Sequence, residues 1–175
     1  GVSIMTGTGY VSANFSAWGG FATTILLIVM FIGGCGGSTT CGIKVFRLQV
    51  LASTAKVQIS RLLRPHAVVL AYYNKRPVSV EVMDSVMGFF YLFILGFVLI
   101  AIMLGIAGLD FVTALSGAAT SISNVGPGLG EVIGADGNFS TIPDSAKWIM
   151  TFAMLLGRLE IFTVLVMLNP AFWHR

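Results

Sequence analysis

The alternation of apolar and polar stretches divides the chain into membrane-length and half-length elements. An apolar run from Phe21 to Ile32 stops at Gly33-Gly34-Cys35-Gly36-Gly37-Ser38-Thr39-Thr40-Cys41-Gly42, where five of ten residues are glycine. An amphipathic run follows, with Val45, Leu48, Val50 and Leu51 set against Arg47, Gln49 and Lys56. A helical span needs about 20 apolar residues, so neither run crosses a bilayer alone. The pattern predicts one helix over 21–60, broken by an intramembrane loop at 33–42. Backbone without regular partners is tolerated at that depth only inside protein or along a water-filled cavity. A pore or transport pathway beside the loop is the first inference.

Further along, residues 85–109 carry no charge and predict a complete transmembrane helix. Asp110 follows as an expected N-cap. Residues 111–122, rich in Ala, Ser and Thr, are too short to span and predict a re-entrant half-helix. Ser123-Asn124-Val125-Gly126-Pro127-Gly128-Leu129-Gly130 cannot continue it as regular helix. A last span is expected over 146–169, with Arg158 and Glu160 in its middle. Between the two halves, 61–84 reads as a connection containing a short hairpin around Asn74-Lys75-Arg76-Pro77.

Composition turns this into a fold class. The 175 residues are 56% hydrophobic and only 10% charged, with mean hydropathy +0.91. Soluble domains carry about 25% charged residues. The expectation is an all-α integral membrane protein, and the abrupt start at Gly1-Val2-Ser3 predicts the C-terminal part of a longer polypeptide. Charge sets the orientation. Seven basic and no acidic residues lie between Lys44 and Arg76, which assigns 44–76 to the cytoplasm together with the basic C-terminus. Glu131, Asp136 and Asp144, with no basic residue among them, put 131–145 outside. Beside membrane spans, that basic stretch favours the cytoplasmic face over nucleic acid.

A weak internal repeat accompanies the topology. Gly9-Tyr10 and Gly126-Pro127 each precede an outer loop and a span, and Met30-Phe31-Ile32-Gly33-Gly34 resembles Met154-Leu155-Leu156-Gly157-Arg158. Parallel units of helix, re-entrant loop and helix are channel-like architecture. The filter candidates are Gly7, Thr8, Gly9 and Tyr10 in one unit and Asn124, Val125 and Gly126 in the other. Their backbone carbonyls would replace the hydration shell of a cation, and glycine lets the strand turn them inward. Arg158 within a span must face a cavity or a partner. The repeat aligns it with Gly34, so Arg158 and the loop residues Gly33, Gly34, Gly36, Gly37, Ser38, Thr39 and Gly42 form a candidate gate below the filter.

Other chemistries fit less well. Cys35 and Cys41 lack the spacing and the companions of a zinc site and read as small packing residues. Gly37 to Lys44 is a near miss to a P-loop, with Ile43 intruding before the lysine. Asn138-Phe139-Ser140 matches a glycosylation acceptor, a short pattern common by chance. No hydrolytic triad, metal cluster or cofactor motif supports an enzyme.

Phe31 to Thr39, Gly42-Ile43-Lys44, Asn124 to Gly130, Gly157-Arg158-Leu159-Glu160 and the ending Pro170-Ala171-Phe172-Trp173 closely resemble the Trk/Ktr/HKT potassium transporters, specifically their TrkH-like subunits. The resemblance implies a multi-pass protein of the bacterial inner membrane with four pore repeats. Residues 1–60 would close the third repeat and 85–175 form the fourth. It implies K⁺ as the transported ion and no bound cofactor. The implied partners are the upstream pore repeats, a second copy in a homodimer, and cytoplasmic TrkA-like nucleotide-binding regulatory subunits. By position, Gly9 and Gly126 match the filter glycines, Gly33 to Gly42 the gating loop, and Arg158 the basic residue beneath the filter. Gly7 and Asn124 stand where the family pattern has threonine. That departure keeps a Na⁺-permeable or Na⁺-coupled relative as an alternative, beside a non-conducting assembly fragment.

Overall fold

The computed structural model describes residues 1–34, 40–64, 70–159 and 161–168. Cys35 to Thr39, part of the expected gate, lie outside the described residues, as do Glu160 and the C-terminal 169–175. Among the described residues the architecture is all-α apart from one small hairpin. In chain order the helices are α1 (Val2–Met5), α2 (Gly20–Phe31), α3 (Val45–Leu63), α4 (Val80–Ile106), α5 (Phe111–Ser123), α6 (Gly130–Ile133), α7 (Asp144–Arg158) and α8 (Ile161–Leu168).

Helix α4 begins where Pro77 ends the hairpin and Ser79 turns extended, with Glu81 in its first turn beside the partly positive helix end. At 1.5 Å per residue it is about 40 Å long, more than the hydrocarbon thickness of a bilayer. Its most apolar window has a mean hydropathy of 2.8. Gly108, at φ +95°, stops it in a conformation that side-chain-bearing residues avoid. Asp110 then starts α5 as expected, accepting a hydrogen bond from the Thr113 backbone N–H at 3.2 Å.

Helix α5 is the centre of the molecule. Every residue from Ser116 to Ser123 is buried. Small side chains make this possible: a Cβ at Gly117 would already touch Leu104 and Ile133. One side of α5 packs with α4 and α7, around Phe93, Leu104, Ala118, Ile122, Met150 and Ala153. The other places Ala119 with Ile4, Leu26, Met30, Val125 and Leu129, which brings α1 and α2 to the same core. Phe31 joins the two groups, edge-on to both Phe93 and Phe97.

The short hairpin expected in the connection pairs β1 (Tyr72–Tyr73) with β2 (Arg76–Pro77). Asn74 and Lys75, at φ +47° and +63°, make the left-handed two-residue turn that matches strand twist. The Ser53 hydroxyl on α3 donates to the Tyr72 carbonyl and fixes the hairpin to that helix.

The region expected as one last span over 146–169 contains two helices, α7 ending at Arg158 and α8 starting at Ile161. The boundary falls at Leu159 and the undescribed residue 160. The broken inner segment over 21–60 is likewise two helices, α2 and α3, with the glycine-rich stretch between them.

Candidate functional site: two glycine strands and a loop neck

The strand after α5 is held against its own helix. Asn124 caps α5 in the left-handed conformation, φ +52°. Its N–H donates to the Ser121 carbonyl at 3.2 Å, and the Val125 N–H to the Thr120 carbonyl at 3.0 Å. The Gly126 N–H donates to the Thr120 hydroxyl at 2.9 Å. Three successive amide protons therefore turn toward the helix. The Asn124 and Val125 carbonyls lie beside Gly7 and Gly9. A Cβ built on Gly9 would meet the Val125 carbonyl oxygen at 2.5 Å, and one built on Gly7 would meet the Asn124 oxygen at 3.6 Å.

The first glycine strand thus lies directly opposite the second. Gly7 and Gly9 take φ +69° and +75°, and Gly9 leaves no room for a side chain. The N–H groups of Thr8 and Gly9 both donate to the Ser3 carbonyl, folding the strand back over α1. Tyr10, by contrast, is 84% exposed and outside this packed pair. Helix α5 directs its partly negative C-terminal end at the strands, which favours a cation there. The Ser123 hydroxyl at that end is buried and has no protein partner among the described residues.

The glycine-rich break has a tied neck. As the chain leaves α2, the Gly33 N–H donates to the Ile43 carbonyl at 2.6 Å and the Ile43 N–H to the Phe31 carbonyl at 2.8 Å. The Val45 N–H reaches the Gly34 carbonyl at 3.2 Å. Ile32 and Ile43 form a parallel bridge, so the segment folds out and returns beside itself. Glycine is required at the neck: a Cβ on Gly33 would sit 2.6 Å from the Cys41 oxygen, and Gly42 adopts φ +82° against the Phe31 oxygen. These bonds satisfy backbone that would otherwise be unpaired within an apolar setting.

Two contacts connect neck, strands and α7. The Arg158 guanidinium donates to the Cys41 sulfur at 3.7 Å. The Thr40 hydroxyl donates to the Thr6 carbonyl at 3.5 Å, with its methyl 3.6 Å from a Cβ position on Gly7. The structure therefore brings together Gly7, Gly9, Asn124, Val125 and Gly126 as one group and Gly33, Gly34, Gly42 and Arg158 as an adjacent one. Gly36, Gly37, Ser38 and Thr39 fall outside the described residues.

Sequence reasoning missed three participants. Thr120 supplies both a carbonyl and a hydroxyl to the second strand. Gly157 permits α7 to touch the end of α5, where a Cβ would lie 1.9 Å from the Ile122 oxygen. Cys41 receives Arg158. Only Gly157 had a sequence signal, a glycine beside an intramembrane charge.

A buried half-helix ending in a glycine strand, flanked by a spanning helix and an inner helix, defines a channel-like membrane transport fold. All of residues 1–175 match the family model of the TrkH cation transport proteins, and the chain belongs to that family. It is 47% identical over 174 residues to the Trk system potassium uptake protein TrkI of Halomonas elongata, covering 99% of this chain and 35% of that protein. It is 37% identical over 173 residues to TrkH of Escherichia coli K12, again covering 99% and 35%. The crystal structure of the potassium transporter TrkH from Vibrio parahaemolyticus superimposes with a TM-score of 0.89 at 40% identity, over 98% of this chain and 36% of that one. The chain spans about a third of the length of these relatives. They are transport proteins, not enzymes.

Proposed function

We propose that the chain forms part of a K⁺ uptake pore and contributes two filter strands and the gate beneath them. The observation that carries this reading is the facing of the two strands: Gly7 and Gly9 stand opposite the Asn124 and Val125 carbonyls, whose own amide protons are committed to α5. Carbonyl oxygens crowded toward one line form a site for a dehydrated monovalent cation. Gly7, Thr8, Gly9 and Tyr10 supply one strand of backbone oxygens, and Asn124, Val125 and Gly126 the other. Residues 1–60 close the third pore repeat and 85–175 form the fourth, while upstream repeats provide the remaining strands.

Below the filter, the loop Gly33 to Gly42 is a steric barrier and Arg158 an electrostatic one. The tied neck fits this role, because backbone hydrogen bonds fix the two arms of the stretch to each other, through Gly33 and Gly34 on one arm and Ile43 and Val45 on the other. The protein resides in the bacterial inner membrane, with 44–76 and the C-terminus cytoplasmic and 131–145 outside. It works as a homodimer with TrkA-like nucleotide-binding subunits on the cytoplasmic side. No cofactor is needed beyond K⁺ itself.

The relatives' printed names support K⁺ as cargo. A Na⁺-permeable variant is the second reading, favoured by Gly7 and Asn124 in place of threonine. Flux into proteoliposomes holding the full-length polypeptide separates the two: K⁺ uptake little affected by tenfold excess Na⁺ supports the first, and equal competition supports the second.

A further inference from the structure

Asn124 has a side chain whose position has no place in a filter built from carbonyls alone. Its Nδ2 donates to the Met154 carbonyl on α7 at 3.0 Å. The contact exists because Gly157, one turn further along α7, lets that helix meet the end of α5 backbone to backbone; a Cβ on Gly157 would stand 3.0 Å from the same Nδ2. Thr120, fully buried, holds the next two residues with its carbonyl and hydroxyl. Successive residues 124, 125 and 126 are thereby pinned one by one, Asn124 to the inner helix and Val125 and Gly126 to the pore helix.

We propose that Asn124 and Thr120 are positioning residues for ion selectivity: the Asn124 amide fixes the filter strand to α7, and the Thr120 hydroxyl fixes the Gly126 peptide. The proposal rests on the filter reading given above. Its physical basis is that discrimination between two cations of one charge depends on how firmly the surrounding carbonyls keep their spacing or number. A strand released from one of these bonds can close around the smaller ion. The Asn124 backbone carbonyl belongs to the filter strand, while its side chain serves as the anchor to α7. Met154 and Arg158 lie on successive turns of α7, so the same helix carries the filter anchor and the charge beside the loop neck.

The test uses the full-length polypeptide carrying this chain, in proteoliposomes, with K⁺ and Na⁺ fluxes and the amount of membrane-inserted protein measured together. Asn124→Gly removes the amide but tolerates the left-handed backbone and adds no charge. Thr120→Val is isosteric and loses the acceptor, whereas Thr120→Ser keeps it. The K⁺ to Na⁺ flux ratio is expected to fall about fivefold in Asn124→Gly and Thr120→Val, the size set by one hydrogen bond, and to stay at the wild-type value in Thr120→Ser. A constant ratio in Asn124→Gly and Thr120→Val, whether both fluxes persist or both fall together, overturns the proposal. Should Asn124→Gly fail to accumulate, the Thr120 pair decides by the same ratio. A wild-type protein without K⁺ preference defeats the underlying filter reading, a result distinct from a selective wild type with selective variants.

Discussion

The guanidinium of Arg158 lies 3.7 Å from the sulfur of Cys41, joining the end of α7 to the returning arm of the glycine-rich loop. This contact holds the Arg158 guanidinium beside the neck of the loop. A unit charge some 6 Å from a permeating cation costs about 2–3 kcal/mol at the effective dielectric of a protein-lined pathway. Arg158→Ala is therefore expected to raise K⁺ flux roughly tenfold or more in proteoliposomes of the full-length polypeptide. Flux equal to wild type would remove the electrostatic half of the gate.

Gly9 gives a sharper structural expectation. Alanine there meets both a φ of +75° and the Val125 oxygen at 2.5 Å. The left-handed conformation alone costs about 1–2 kcal/mol, and the clash pushes the facing strands apart. Gly9→Ala should reach the membrane in normal amount and lose most K⁺ flux. A Gly9→Ala protein with wild-type flux and selectivity would show that the two strands do not line the pathway.

Gly157 and Gly20 make a matched pair. A Cβ on Gly157 falls 1.9 Å from the Ile122 oxygen, while one on Gly20 meets nothing within 4 Å. Gly157→Ala must displace α7 from α5 and is expected to destabilise by about 1–3 kcal/mol, as overpacking does. Gly20→Ala should be neutral or slightly stabilising, since alanine is the better helix former. Thermal unfolding in detergent checks both; equal Tm values would mean that α7 and α5 are not in close contact.

The Asp110 cap lies at the end of α5 away from the glycine strands. Its hydrogen bonds from Thr113 hold the carboxyl below the usual carboxylate range. A lowered folded-state value means the carboxylate stabilises the fold above the unfolded pKa, near 3.9. That contribution is lost as pH falls through the folded value. Asp110→Ala should lose about 1 kcal/mol at pH 7, whereas Asp110→Asn keeps most of the cap. The gap between wild type and Asp110→Asn should narrow below about pH 4. A gap that widens there contradicts the assignment.

Much of this was legible in the sequence for physical reasons. An uncharged run of 25 residues over 85–109 has few other fates, and Asp110 before a short Ala- and Ser-rich stretch marks a capped half-helix. Gly33 and Gly42 announced a break because glycine is otherwise unfavourable inside helices. What stayed hidden depends on distances between remote segments. Nothing local to Thr120 says that its hydroxyl takes the Gly126 amide, and nothing near Cys41 says that it receives Arg158. The end of α7 at Arg158 was also hidden, because the apolar run continues through Leu168 on both sides of the break. The exposure of Tyr10 was not legible either, since aromatic residues suit both packed and interfacial positions.

The central claim is a division of labour, with selectivity in the facing glycine strands and closure in the loop below. It is tested most directly by removing residues 35–39 from the full-length polypeptide and measuring K⁺ and Na⁺ flux together. The account predicts higher flux at an unchanged K⁺ to Na⁺ ratio. A ratio that collapses toward one as flux rises would contradict it, because the loop would then be part of the filter.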